Sequence, residues 1–315
     1  MTDAATRLLV IVGPTAAGKS RLGVAAALEL EGEIVSADSV QVYRGLDIGS
    51  AKPSAQERDM VAHWCIDIAE PTKPFDAALW VKHAKAAIDD ITARGRLPIV
   101  VGGTGFYIRA LLGGLHDVGT IDPAVRAVVR EELATHGSQA MHAQLQKIDP
   151  EAAARISPND PQRIGRALEV YRSSGTSLTS HFKEARPDTP YDTLTIGLWP
   201  PREILYDAIN RRAGDMVNAG LIDEVQHLLE TGVSGTEGPL TALGYRQVVD
   251  YLRGDISKDR LGESIAIGHR HYARRQLTWF RGITTRENDL VHLDPSRGSA
   301  LNMLLELWTE RHAAV

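Results

Sequence analysis

Residues 13–20 read Gly-Pro-Thr-Ala-Ala-Gly-Lys-Ser and satisfy the pattern G-x-x-x-x-G-K-[ST] in full. The flanks decide what such a loop can fold into. Leu8-Leu9-Val10-Ile11-Val12 precedes it, a continuous apolar run suited to a parallel strand buried on both faces. An amphipathic stretch follows, with Leu22, Ala25, Ala26 and Leu30 at helical spacing. Strand, glycine loop and helix in that order form a cradle for phosphate. Backbone N–H groups converge on the anion, and the helix N-terminus adds positive potential. Gly13, Pro14, Thr15, Ala16, Ala17, Gly18, Lys19 and Ser20 are therefore candidate phosphate-binding residues. Lys19 supplies a mobile cation, and the Ser20 hydroxyl is a candidate ligand for Mg2+.

The rest of the chain continues the same architecture. Residues 33–36 and 193–198 read as further strands, and 96–101 (RLPIVV) as another, ended by Gly102-Gly103. Between them, 75–93 reads as a helix, because Trp80, Ala84, Ala87, Ile88 and Ile91 share one face. Short apolar strands alternating with helices predict an α/β fold with a parallel sheet flanked by helices. The stretch 115–190 interrupts the alternation: it is poor in strand signals and rich in Ala, Gln, Arg and Glu. It is expected to be a helical insertion domain, leaving 1–114 and 191–315 as the core. Its clearest helix starts at Asp160-Pro161, cap followed by first helical position. A long C-terminal helix is expected over 258–281.

Composition narrows the function classes. Lys and Arg total 35 against 40 Asp and Glu, a net charge of −5, so bulk charge does not signal nucleic-acid binding. A single cysteine, Cys65, excludes an internal disulfide framework and a cysteine-rich zinc site. His269 and His271 are two apart on a helix and face apart, so no structural metal is expected. Residues 1–6 carry no basic segment, and no apolar run approaches the roughly 20 residues of a membrane span. The expectation is a cytoplasmic monomer with no membrane partner.

A phosphate cradle alone does not specify hydrolysis. Hydrolytic nucleotide triphosphatases carry an acid at the end of a later apolar strand. Here residues 98–101 end in Gly102-Gly103-Thr104, and Asp67 is only a weak substitute. That favours a transferase over a motor or switch. Asp38 ends the second strand, and in a parallel sheet the strand C-termini open on the ligand crevice. It is placed to accept a proton or steer Mg2+, and equally to cap a turn. The following segment, 41–53, mixes polar, aromatic and basic groups with glycines. Composition leaves it open between a surface loop and a substrate-facing one.

Basic residues cluster locally. Arg270, Arg274 and Arg281 share one helical face, with Arg275, His269 and His271 beside them and no acid between 269 and 282. Anion contact is the favoured reading for these arginines, and a core position for Trp279 and Phe280. Two other groups, Arg155, Arg163, Arg166 and Arg172, and Arg202, Arg211 and Arg212, read as ordinary surface charge on composition alone.

Six segments taken together are far more specific: 13–20 (GPTAAGKS), 36–53 (SADSVQVYRGLDIGSAKP), 101–107 (VGGTGFY), 159–168 (NDPQRIGRAL), 243–247 (LGYRQ) and 272–281 (YARRQLTWFR). In these the chain resembles the tRNA dimethylallyltransferases, also called tRNA isopentenyltransferases. Ala17 stands where that family often has Ser, at a position acting mainly through its backbone. The resemblance implies a P-loop kinase-like core with a helical insertion clasping the tRNA anticodon stem-loop. It implies transfer of a dimethylallyl group from dimethylallyl diphosphate to N6 of the adenosine immediately 3′ to the anticodon. Residues 13–20 would then hold the donor's diphosphate, with Mg2+ near Ser20. Asp38 would be the base, Thr15 would bond the donor or the reacting amine, and Arg212 would bind diphosphate. Contacts to tRNA would come from Asp38, Ser39, Val40 and Gln41; from Thr104 and Arg126; from Gln162, Arg163, Ile164, Gly165 and Arg166; and from Ala242, Leu243, Gly244, Tyr245, Arg246 and Gln247.

Overall fold

The apolar run at the N-terminus becomes the centre of a sheet. In a computed structural model describing residues 5–114, 118, 121–183, 191–284 and 290–313, Leu8, Leu9, Val10 and Ile11 are fully buried. The elements in chain order begin with β1 (Thr6–Val12), α1 (Lys19–Glu29), β2 (Gly32–Ala37), α2 (Ala55–Met60) and β3 (His63–Trp64). Then come α3 (Ala77–Ala93), β4 (Leu97–Gly102), α4 (Gly105–Gly113), α5 (Pro123–Ile148), α6 (Pro150–Arg155), α7 (Pro161–Ser174) and α8 (Leu178–Lys183). The chain closes with β5 (Tyr191–Leu198), α9 (Arg202–Asn218), α10 (Leu221–Glu230), α11 (Tyr245–Leu252), α12 (Lys258–Thr284), β6 (Leu290–Leu293) and α13 (Ala300–His312). It folds as two compact units, Met1–Leu112 with Pro190–Val315, and Gly113–Thr189.

In the first unit six parallel strands lie in the order β3-β2-β4-β1-β5-β6. The expected strands form the four inner positions; the central pair, β1 and β4, carries the unbroken apolar runs that burial on both faces favours, while β2 (GEIVSA) and β5 (YDTLTIGL) mix apolar and polar residues. The two edge strands carry little sequence signal: His63–Trp64 is two residues long, and Leu290–Leu293 is four with a histidine inside it. Because β4 lies between β2 and β1, the C-terminal ends of β1, β2 and β4 sit side by side. Residues 13–20, Asp38 and Thr104 follow those ends.

Glu33 is 4% exposed, and its carboxylate accepts two hydrogen bonds from Arg94 (2.5 and 2.8 Å) and one from the Trp64 indole (2.8 Å). Arg94 chiefly holds the Glu33 carboxyl below its usual range, against the opposing effect of burial. A depressed carboxylate contributes stability above its unfolded value of about 4.5 and loses it as pH falls through the folded value. Glu33→Gln should therefore melt at lower temperature than the parent at neutral pH, and the gap should close on acidification. Thermal melts over pH 3 to 7 test this; a gap constant with pH would contradict it.

The second unit is helical. Its core is Val129, Met141, Leu145, Ala153, Ile164, Ala167 and Leu168. The α5 segment is kinked at Gly137, whose φ of 78° breaks the helix. Asp160 caps α7 by accepting from Arg163 N at 3.0 Å, and Pro161 follows as the first helical residue.

Candidate active site

The phosphate cradle is built by backbone conformation. Gly18 has φ of 91° at the N-cap of α1, and Ala16, not a glycine, is also left-handed at 64°. A left-handed alanine costs about 1–3 kcal/mol and persists only where surroundings enforce it. Such reversals turn successive N–H groups inward as an anion nest. Ala17 is buried, consistent with a role carried by its main chain. Lys19 folds back over the loop, donating from Nζ to the Pro14 carbonyl at 2.8 Å. Ser20 sits exposed in the first turn of α1.

Asp38 performs the turn role and keeps an oxygen in reserve. Its Oδ1 accepts from Val40 N (2.8 Å) and Gln41 N (3.2 Å). Among the described residues Oδ2 accepts no hydrogen bond. Asp38 also belongs electrostatically to the cradle. Lys19 is pushed down to about 8, first by burial and then by Arg212, while Asp38 pulls it back up. Arg212 is likewise lowered by burial and supported by Asp38. Arg212 is thus not the surface charge that composition suggested: α9 brings it half-buried into a group with Lys19 and Asp38. It also lines a cleft of about 420 Å3 together with Lys52, Arg58 and Asp215. Two positive charges and one negative, with an anion nest beside them, suit a polyanion whose neighbour loses a proton.

The 41–53 segment is a locked loop. Gln41 Nε2 donates to the Ser50 and Ala51 carbonyls (both 3.2 Å), and its Oε1 accepts from Ser36 Oγ (2.9 Å). The buried Lys52 donates to Tyr43 O (2.6 Å), Asp47 (2.5 Å) and Asp67 (2.5 Å). Glu224 accepts from the N–H groups of Asp47 (3.1 Å), Ile48 (2.8 Å) and Gly49 (3.3 Å), and from the Tyr245 hydroxyl (2.8 Å). Glu224 carried no signal in the sequence, since its role exists only once α10 meets a loop 177 residues away. Asp67 pairs with Lys52 and with Arg58 (3.0 Å), so it is not an acid waiting for a metal.

The RNA-contact candidates divide by burial. In the first unit Ser39 and Arg246 are exposed, and Asp38, Val40, Gln41, Thr104, Ala242 and Leu243 are half-buried. Gly244, Tyr245 and Gln247 are buried. Tyr245 supports Glu224 and Ser50, and Gln247 Oε1 accepts from Gly244 N at 2.8 Å to close the turn before α11. In the helical unit Gln162, Arg163, Arg166 and Arg126 are exposed or nearly so, whereas Ile164 and Gly165 face the core of that unit. Within that unit Arg172 is bound by Glu132 (2.7 Å) and Arg155 by Thr179 (3.0 Å). Both Arg126 and Arg166 lie near Glu169, at 3.9 and 3.8 Å.

The α12 cluster is smaller than its composition. His269 is pushed down to about 4 by burial and by Arg212, so it stays neutral and adds no charge. Arg270 donates to Asn210 at 2.5 Å. Arg274, Arg275 and Arg281 remain exposed. Phe280 is a core residue; Trp279 is half-buried, with the Arg109 guanidinium 4.9 Å from its ring.

Comparison with known proteins agrees with this geometry. The family model described as IPP transferase matches residues 41–283, and one described as isopentenyl transferase matches residues 6–67. The tRNA dimethylallyltransferase 1 of Trichlorobacter lovleyi is 48% identical over 87% of this chain and 90% of its own. The tRNA dimethylallyltransferase of Desulfitobacterium hafniense is 44% identical over 95% of each chain. Among solved structures, the full-length tRNA isopentenylpyrophosphate transferase of Bacillus halodurans aligns with a TM-score of 0.70 at 38% identity, covering 98% of this chain and 96% of that one. A eukaryotic dimethylallyltransferase caught acting on tRNA aligns with a TM-score of 0.83 at 26% identity, covering 98% and 79%. Sequence, sheet order and cradle converge, and the chain belongs to the IPP transferase family.

Proposed function

We infer that this protein transfers a dimethylallyl group from dimethylallyl diphosphate to N6 of the adenosine immediately 3′ to the anticodon of tRNA. The observation that carries the reading is the grouping of Lys19 and Arg212 with Asp38 beside the phosphate cradle. Two cations suit a diphosphate leaving group, and a carboxylate suits an amine that must lose a proton. The donor's C1–O bond breaks, and the electron pair leaves with diphosphate onto Lys19, Arg212 and the cradle N–H groups of Ala16, Gly18, Lys19 and Ser20. The adenine N6 forms the new bond to C1 and gives one proton to Asp38 Oδ2. That amine is a weak nucleophile, its lone pair delocalised into the ring, so the carboxylate acts as the bond forms. Thr15, in the cradle, is assigned to the donor or the reacting amine.

The residues fit Mg2+ held largely by substrate oxygens: Ser20 offers one hydroxyl in the first turn of α1, and among the described residues no three His, Cys, Asp or Glu gather as a protein cage. Bound there, the ion would neutralise charge on the diphosphate. The target base must leave its stack to meet the donor. Ser39, Thr104 and Arg246 are the RNA contacts we assign in the core, and Gln162, Arg163, Arg166 and Arg126 in the helical unit. No helix among the described residues is long and apolar enough to cross a membrane; we take the protein to be a cytoplasmic monomer.

Incubation with Mg2+, labelled dimethylallyl diphosphate and either unmodified tRNA or AMP tests the acceptor, and labelled ATP in a third tube tests for a kinase. Label in tRNA alone is expected; label in AMP, or phosphate transfer from ATP, would overturn the assignment. The lowered Lys19 makes a second prediction. Lys19 is charged below about pH 8 and neutral above it in the free protein, and diphosphate prefers the charged form. Affinity for inorganic diphosphate should therefore break near pH 8 and fall by up to about tenfold per pH unit beyond it. Titration calorimetry of the parent and of Lys19→Met separates this from titration of the ligand, because the variant should lack the break.

A further inference from the structure

Residue 276 ties the two halves of the reaction site together. Gln276, on α12, is 5% exposed and both ends of its amide are used. Its Oε1 accepts from Thr15 N at 2.8 Å, inside the phosphate cradle. Its Nε2 donates to Gly103 O at 2.9 Å, in the turn between β4 and α4. That turn carries the end of β2: Thr104 N donates to Ala37 O (3.2 Å), and Thr104 Oγ1 accepts from Ser39 N (3.1 Å). Asp38 lies between those two anchored residues. One planar amide therefore links the donor's cradle to the turn beside the carboxylate, in addition to the sheet pairings of Val12 and Ala37 with Gly102.

Close packing enforces the arrangement. A Cβ at Gly103 would come within 2.3 Å of Gln276 Nε2, so any side chain at residue 103 would displace the amide from its bond to Gly103 O. The Gly102-Gly103 pair that replaces a strand-end acid thus has a purpose of its own. Tyr272, one turn earlier on α12, has its hydroxyl beside Thr104 and Gln276 and is pushed up to about 12, chiefly by burial. The glutamine is chemically specific: Glu lacks the donor for Gly103 O, Asn is one methylene too short, and Met offers neither bond.

We propose that Gln276 is a positioning residue for the transfer step, holding the diphosphate cradle and Asp38 at reactive spacing; this rests on the roles assigned above to residues 13–20 and Asp38. A displacement of order 1 Å at a reacting pair costs up to roughly 10²-fold in rate. Gln276→Met is expected to lower single-turnover transfer roughly 10–100-fold, while affinities for inorganic diphosphate and for tRNA, measured separately, change less than about threefold. The decisive comparison is a cycle with Asp38→Asn. If Gln276 acts by placing Asp38, the cost of Gln276→Met should largely vanish once the carboxylate is gone. An equal cost in both backgrounds, or affinities that fall as far as the rate, would overturn the inference. Gln276→Glu, which keeps the Thr15 bond and loses the Gly103 bond, takes the place of Gln276→Met if the latter does not fold. Failure of both to fold would also overturn it, since the amide would then be holding the fold. Full activity in Asp38→Asn alone is a separate result that refutes the base assignment.

Discussion

Asp38→Asn should lower the rate of dimethylallyl transfer by roughly 10²–10⁴-fold while tRNA and diphosphate still bind. That range corresponds to about 2.7–5.5 kcal/mol of transition-state stabilisation. The substitution is unusually clean here. Asn Oδ1 can go on accepting from Val40 N and Gln41 N, the two bonds that fix the turn. What is lost is the charge, the basicity at the other atom and the support that Asp38 gives to charged Lys19 and Arg212. A melting temperature close to the parent's is expected, with single-turnover transfer collapsed. Asp38→Ala would remove the turn bonds as well and confuse the two effects. Retention of full transfer by Asp38→Asn would show that the proton leaves by another route.

Arg212→Met should cost roughly 10²–10³-fold in transfer, the usual loss when one donor to developing negative charge is removed. Methionine keeps an unbranched apolar side chain at this half-buried position. The variant carries an internal check, because Arg212 depresses Lys19 in the free protein. Without Arg212 the break in diphosphate affinity should move above pH 8. A rate loss with the break unmoved would place Arg212 outside the diphosphate group. In Arg211→Met, at the exposed neighbouring position, neither quantity should change.

The central strands and the cradle are readable from sequence because local patterns mark them: β1 and β4 carry unbroken apolar runs, and Gly13 and Gly18 stand at the fixed offsets of an anion nest. The edge strands His63–Trp64 and Leu290–Leu293 follow no such rule, being short and bordered on one side only. Side-chain roles fared differently. Arg212 looks like its neighbour Arg211 until α9 turns one inward and the other out. His269 counts toward a basic cluster on paper, and burial beside Arg212 discharges it. Asp38 was evenly divided between cap and reactive group, and two oxygens allow both uses at once. Gln276 lies within the 272–281 motif, yet its partners are 261 and 173 residues away, beyond any periodicity. The same holds for Glu224, which reads as one more acid on a solvated helix.

If the cradle delivers an alkyl group to one adenosine, the identity of that single residue decides the product. Two tRNA transcripts identical except for the residue immediately 3′ to the anticodon, adenosine in one and guanosine in the other, test it most directly. Each is incubated with the protein, Mg2+ and dimethylallyl diphosphate, then digested to nucleosides for mass spectrometry. N6-dimethylallyladenosine is expected from the first transcript and none from the second. The same nucleoside from both, or from neither while diphosphate is still released, would contradict it.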